Sequence, residues 1–247
     1  MGEVRFRRAL VHAIDRQEMA DTIMPGMPVA HSIIAPSQPE YAPIQSRIAR
    51  LDYDPRRATE IIESLGFARG ADGFFQESAG RRLSVELRTT TNDANQKSTF
   101  AIADYWQRAG VGAEPVVIPV QLLQNREYRA TYPGLELVNQ PNGVSGIENL
   151  LHSSAAPTPE RNYQAPSSSR NRGQYLNREY DAVMDRYRMT IPMGERLQIL
   201  GEIVHHQTDL QLVTGLFYTA DAIMIANRLQ SVPPGSSWNA HLWEVRS

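Results

Sequence analysis

The histidine and acidic residues of this chain do not follow a spacing that is typical of a catalytic or metal site. His205 and His206 are adjacent on a predicted helix, so their side chains point about 100° apart and cannot both bind one metal ion well. The zinc-protease pattern His-Glu-x-x-His is absent. Glu60 and Glu63 share a helix face that we interpret as solvated. We therefore predict no metal site, no catalytic residue and no cofactor.

Motifs for covalent catalysis and for phosphate binding are also missing. Ser145 lies in the run Gly-Val-Ser-Gly, which lacks the Gly-x-Ser-x-Gly spacing of a nucleophile elbow. Neither Gly-x-x-x-x-Gly-Lys nor Gly-x-Gly-x-x-Gly occurs. The chain has no cysteine, which excludes disulfides, Cys-ligated zinc and a cysteine nucleophile. These observations favour a binding protein over an enzyme, and a hydrolase with a dispersed site of Asp, Glu and His stays open as an alternative.

Two polar loops follow predicted strands and are the candidate ligand-binding segments. In open α/β sheets, ligands bind beyond the carboxyl ends of the strands. The loops carry uncharged hydrogen-bonding groups, which would suit a polar, neutral ligand. From spacing alone, the plainer interpretation as capping and turn residues is favoured. The candidate residues are Thr90, Thr91 and Asn92 in the first loop and Asn139, Gln140, Asn142 and Gly143 in the second.

Helical and strand patterns alternate along the chain, which indicates an α/β fold. Helices are predicted over residues 4–14, 54–66, 93–109 and 120–130, with two more after Asn177 and Pro192. The helix over 93–109 is expected to bury Phe100, Ala103 and Trp106. Strands are predicted over 83–87, 116–118, 135–138, 212–218 and 222–225. The strand–helix–strand order of the first two strands favours a parallel pair.

Composition is that of a folded protein without a strong charge. Of 247 residues, 41% are hydrophobic and 21% are charged, and the formal net charge is -2. This balance gives no basic field for nucleic acid, and we expect no nucleic-acid partner. No apolar run reaches the roughly 18 residues that a membrane-spanning helix needs. The first residues lack the apolar core of a signal peptide.

In their order, four stretches resemble motifs of the family 5 extracellular solute-binding proteins, which include dipeptide- and oligopeptide-binding proteins of ABC importers. The match is spread over nearly the whole chain, and no one motif is diagnostic. The stretches are residues 4–16, residues 53–58 with 65–67, residues 83–90 with 106–111, and residues 175–181 with 216–218. Tyr218 closes the last stretch, and we add it to the candidate ligand-binding residues.

The resemblance implies a type II periplasmic-binding-protein-like lobe with a mixed sheet flanked by helices. Residues 1–215 would be the C-terminal ligand-binding lobe of a two-lobe protein, and residues 216–247 would return toward a missing N-terminal lobe. It implies a periplasmic or extracellular, membrane-associated protein, with the signal peptide absent from this fragment. The implied partners are a small polar solute or peptide, a membrane permease and the missing lobe, and a homodimer through the exposed lobe face stays open.

One departure from the family concerns the charge of the ligand. Peptide-binding members carry an Asp in the loop after the strand that matches residues 135–138, where it meets the amino terminus of the peptide. Here that loop has no acid before Glu148. Since an unpaired buried ammonium is costly, a sugar, a modified peptide or another polar solute is at least as suitable as a free-amine peptide. A regulatory or chaperone-like module that reuses the fold stays open as a second alternative.

Overall fold

The computed structural model describes residues 2–147, 151–164, 171–220, 224–232, 241 and 243–245. Within these residues the helices are α1 (Val4–His12), α2 (Arg16–Ile23), α3 (Tyr41–Ile44), α4 (Pro55–Ser64), α5 (Asp93–Arg108), α6 (Arg126–Ala130), α7 (Val144–Ile147), α8 (Arg178–Met189) and α9 (Met193–Asp209). The strands are β1 (Ala68–Arg69), β2 (Phe75–Gln76), β3 (Ser84–Thr89), β4 (Gly112–Val117), β5 (Leu135–Leu137), β6 (Leu229–Gln230) and β7 (Glu244–Val245).

The main sheet has three parallel strands in the order β4-β3-β5. Strand β3 pairs with β4 from Ser84↔Gly112 to Thr89↔Val117, and with β5 from Leu87↔Leu135 to Thr89↔Leu137. Parallel pairing brings the carboxyl ends of β3 and β5 to the same edge of the sheet. At that edge the Thr89 hydroxyl donates to the Leu137 carbonyl over 3.0 Å. The two polar loops therefore start side by side.

Several helices begin where local side-chain chemistry predicts. The Asp54 carboxylate accepts from the Arg57 amide at the start of α4, and Pro55 occupies the first helical position. The Asn92 and Asn177 side chains cap α5 and α8 in the same way. These caps satisfy amide groups that have no partner inside the helix.

Buried side chains form two main clusters. The first packs α1, α4 and α5 against the main sheet, with Phe6, Ile62, Leu87 and Trp106 among its members. The second joins α3, α8 and α9. The cavity described below is lined by residues of both clusters.

The α/β class is confirmed, while some elements differ from prediction. The expected mixed sheet is a parallel sheet, and the antiparallel pairs β1–β2 and β6–β7 lie in separate two-stranded sheets of the described residues. Residues 212–218 form an irregular segment with one bridge, Val29↔Phe217. Residues 224 and 225 are not in a strand, and residues 222 and 223 lie outside the described part. Phe100 is 53% exposed, which contradicts the predicted burial.

Candidate functional site

A cavity of about 420 Å³ opens at the carboxyl end of β5. Its walls come from α1, α5, β5 with the following loop, and the segments around residues 30–33 and 212–219. The volume falls within the range of about 300–1,000 Å³ that is usual for small-molecule sites. The position agrees with the rule that open α/β sheets bind ligands beyond the carboxyl ends of their strands.

Four of the eight residues predicted from the sequence line this cavity. Asn139 and Asn142 lie on its rim with exposed side chains, Gln140 is partly buried, and Tyr218 is buried. The Tyr218 hydroxyl lies 2.8 Å from the Ser32 carbonyl and 3.0 Å from the Ile34 carbonyl. Tyr218 therefore also fixes the wall segment that passes through Ser32.

The other four predicted residues do not line the cavity. Asn92 caps α5 by accepting from the Asn95 amide, and the Thr91 carbonyl accepts from the Gln96 side chain. Thr90 is outside the lining as well. Gly143 has a positive φ of 92° and its amide donates to the Ile33 carbonyl over 2.8 Å, so it shapes the turn beneath the second loop.

Gln140 presents an acceptor that has no hydrogen-bond partner among the described residues. Its side-chain oxygen Oε1 is buried and has no hydrogen bond within the structure. A buried amide oxygen without a partner costs about 1–3 kcal/mol, so a donor group supplied by a ligand would be stabilising there. Gln140 is thus a predicted residue that lines the cavity and has an unmet hydrogen-bonding capacity.

A buried charged cluster beside the cavity was not predicted. Glu136 on β5 and Arg172 line the cavity, and Arg129 of α6 pairs with Glu136. The side chains of Glu136 and Arg129 are 3% and 10% exposed. The second carboxylate oxygen of Glu136, Oε2, has no hydrogen-bond partner within the residues that the structure describes. Burial raises the pKa of Glu136, and the neighbouring Arg129 and Arg172 oppose that rise.

The inner wall of the cavity is apolar and made of buried side chains. Leu10, Leu87, Ile102 and Trp106 are buried and line it. The Trp106 indole nitrogen donates to the Leu10 carbonyl over 3.0 Å, which fixes the ring between α5 and α1. A preformed apolar wall with a few polar groups is the usual composition of a small-molecule site.

Two chain segments cross behind the cavity and are joined by a buried arginine. The Ala30 amide donates to the Leu216 carbonyl, and the Tyr218 amide donates to the Pro28 carbonyl. Arg16, 8% exposed, donates to the carbonyls of Gly215 at 2.9 Å and Leu51 at 2.6 Å. Arg16 therefore holds together segments that are distant in sequence and that form part of the cavity wall.

The arrangement most similar to a hydrolase triad lies outside the cavity lining. His152 Nδ1 is 2.7 Å from the Ser154 hydroxyl, and Nε2 is 3.4 Å from Asp185. Nδ1 also accepts from the Ser154 amide at 3.1 Å, which is the geometry of a cap on the 3₁₀ turn Ser153–Ala155. A helix-capping role accounts for this contact. Among the described residues, no group of three His, Asp or Glu side chains is placed to hold a metal ion.

The model of the bacterial extracellular solute-binding proteins, family 5 Middle, matches residues 1–151. The chain belongs to this family. The resemblance seen in the sequence is thereby confirmed. The family assignment and the cavity agree, because the matched region contains α1, the main sheet and the polar loop after β5.

A curated protein and two solved structures illustrate the similarity. The chain is 31% identical over 118 residues to a nickel-binding periplasmic protein of Escherichia coli, covering 47% of this chain and 22% of that protein. The oligopeptide-binding protein AppA of Bacillus subtilis, solved with a nonapeptide, superposes with a TM-score of 0.74 at 15% identity. That superposition covers 99% of this chain and 48% of the other.

A third similar structure is the periplasmic oligopeptide-binding protein of Thermotoga maritima with bound mannohexaose. Its TM-score is 0.75 at 20% identity, over 87% of this chain and 41% of the other. The chain thus spans less than half the length of each of these three relatives. None of the described helices combines the length and apolar character needed to cross a bilayer.

Proposed function

We propose that this chain is the ligand-binding lobe of the substrate-binding component of an ABC importer. The observation that carries the proposal is the cavity at the carboxyl end of β5, in a chain that belongs to the family 5 solute-binding proteins. Asn139, Gln140 and Asn142 supply polar contacts on one side, and the apolar wall around Trp106 lies on the other. The ligand is a peptide-like or other polar solute.

The ligand is held between two lobes in this proposal. Asn139 and Asn142 are exposed among the lining residues, and in this proposal a second lobe covers them and excludes water. Closure of two lobes about a ligand is a common hinge motion of binding proteins. In this proposal residues 1–215 belong to the ligand-binding lobe, and residues 216–247 return toward the second lobe. The loaded protein then docks on a permease outside the cytoplasm, in the periplasm or at the cell surface.

The relatives bind chemically different solutes, so the ligand class needs a direct test. A thermal-shift screen would use the 247-residue chain and a longer parent protein that carries both lobes. The panel contains tripeptides, neutral oligosaccharides, opines and nickel–histidine complexes. A ligand that binds only the folded state raises the melting temperature in proportion to the logarithm of its concentration. We expect one solute class to stabilise both proteins, and the two-lobe protein more.

Two results would count against the proposal. Chemical conversion of a panel compound without stabilisation would favour the hydrolase alternative. A chain that ignores every solute and instead binds unfolded polypeptides would favour the chaperone-like module. Stabilisation by the nickel–histidine complex alone would keep the importer role and identify the metal complex as the cargo.

A further inference from the structure

The charged side chains that line the cavity carry more positive than negative charge among the described residues. Among the described lining residues, the charged ones are Arg7, Glu136 and Arg172, which are two cations and one anion. Arg7 is engaged outside the cavity, because its guanidinium donates to the Leu210 carbonyl at 2.7 Å and 2.9 Å. Arg172 therefore supplies the excess positive charge of the cavity wall.

Arg172 belongs to a cluster in which the acids already have stronger partners. Arg88 pairs with Glu86 at 2.8 Å, and Arg129 pairs with Glu136. The Nη1 atom of Arg172 lies 3.9 Å from Glu136 Oε1, beyond hydrogen-bond distance. Among the described residues of this cluster, three guanidinium groups thus face two carboxylates, and the guanidinium without a hydrogen-bonded acid belongs to Arg172 on the cavity wall.

The exposure of the side chain gives a second indication. The Arg172 side chain is 39% exposed, yet Nη1 is buried and has no hydrogen-bond partner in the described part of the chain. A buried guanidinium N–H without an acceptor is costly, and an anionic group is its strongest partner. Gln140 and Glu136 line the same cavity, and each carries one buried oxygen, Oε1 and Oε2 respectively, without a partner among the described residues. The wall thus offers a positive group to an anion of the ligand and nearby acceptors to a hydrogen-bond donor of the same ligand.

We propose that the ligand of this cavity is an acidic solute whose carboxylate or phosphate group binds Arg172. The same solute offers a hydroxyl, amide or amine donor to Gln140 and Glu136. This inference rests on the proposed function and narrows it, and it departs from the neutral ligand that the polar loops suggested. The anion forms a charge-assisted bond with a planar guanidinium, which suits two-oxygen groups.

The test compares acidic and neutral members of matched compound pairs. Isothermal titration of the 247-residue chain would use trialanine against trialanine amide, and glucuronate and glucose 6-phosphate against glucose. The peptide and glucuronate arms report on a carboxylate, and the sugar phosphate arm reports on a phosphate. At least one acidic compound should bind about tenfold more tightly than its neutral counterpart, since a charge-assisted bond contributes about that factor.

Three variants assign the preference to Arg172. Arg172→Gln should abolish the preference for the acidic compound, while Arg172→Lys should retain part of it. Arg56→Gln removes one positive charge from the exposed surface of α4 and should leave the preference unchanged. Circular dichroism melting curves would establish that each variant is folded before it is titrated.

The outcomes separate this inference from the proposed function. If neutral compounds bind as tightly as acidic ones, or if Arg172→Gln keeps the acidic preference, the inference is wrong while the importer role stands. If the chain and its two-lobe parent bind no compound of either panel, both are wrong. An acidic preference that disappears only in Arg172→Gln supports both.

Discussion

Replacing Arg16 with methionine tests whether the buried guanidinium holds the back of the cavity together. The group donates to the Leu51 carbonyl at 2.6 Å and to the Gly215 carbonyl at 2.9 Å, with a weaker contact to the Ala30 carbonyl at 3.4 Å. Methionine keeps much of the apolar stem and removes the charge and all five donors. The three carbonyls would lose their common partner.

The size of the effect follows from these bonds. A hydrogen bond to a charged group contributes about 1.5–3 kcal/mol, so the two short bonds contribute about 3–6 kcal/mol. Burial of the guanidinium offsets part of this, and it also lowers the pKa of Arg16. We therefore expect Arg16→Met to reduce the free energy of unfolding by about 2–4 kcal/mol. Since domains are stable by about 5–15 kcal/mol, the variant should fold but with a clearly smaller margin.

Urea denaturation followed by circular dichroism measures this loss. With a slope of about 2–3 kcal/mol/M, the midpoint should fall by about 1 M. The matched control is Arg56→Met, because Arg56 is exposed on α4 and its loss should change the free energy by less than about 0.5 kcal/mol. If Arg16→Met is no more destabilising than Arg56→Met, the Arg16 guanidinium does not hold the segments around Leu51 and Gly215 together, and the reasoning fails.

Two further perturbations test the sheet and the partly buried histidines. A Cβ atom at Gly134 would overlap the Glu86 carbonyl of β3, so Gly134→Ala should lower the melting temperature markedly. The control Gly194→Ala lies in open space on α9 and should leave the melting temperature unchanged or raise it. Equal melting temperatures of the two variants would contradict the close approach of Gly134, just before β5, to β3. Burial and the neighbouring His205 lower the pKa of His206, so the folded state resists protonation that the unfolded chain accepts near pH 6.5. The free energy of unfolding should therefore fall as the pH drops through about 6.5, and His206→Gln should weaken that pH dependence. Burial also lowers the pKa of His31, so His31 should maintain part of the pH dependence in the variant. An unchanged pH dependence of the unfolding free energy in His206→Gln would contradict the assignment of this dependence to His206.

Helix starts could be predicted because their causes are local. Asp54, Asn92 and Asn177 cap the helices that follow them, and each contact spans only three residues. The burial of Phe100 was wrong because the buried stripe of α5 follows Ser98, Thr99, Ile102, Tyr105 and Trp106, and Phe100 lies beside it. Successive side chains point about 100° apart around a helix, so an error of one residue in placing the buried face can exchange a buried position for an exposed one.

Long-range contacts limited what the sequence could reveal elsewhere. Residues 212–218 have the apolar character of a strand, but they pack against the segment at 28–30 and make only one bridge. Asn139, Gln140 and Asn142 were found because a loop after a parallel strand has a known position in the fold. Arg172 could not be found in the same way, since its place beside Glu136 depends on how a loop distant in sequence returns to the sheet.

The most direct test of the account is solute binding by a variant that lacks the unpaired Gln140 acceptor. A compound identified in the solute screen would be titrated calorimetrically into the wild-type chain, Gln140→Leu and the control Gln107→Leu, which alters an exposed position on α5 outside the cavity. The account predicts a loss of affinity of about five- to tenfold for Gln140→Leu, as expected for one buried hydrogen bond, and no loss for the control. Equal affinities in all three proteins would contradict the claim that this cavity binds the solute.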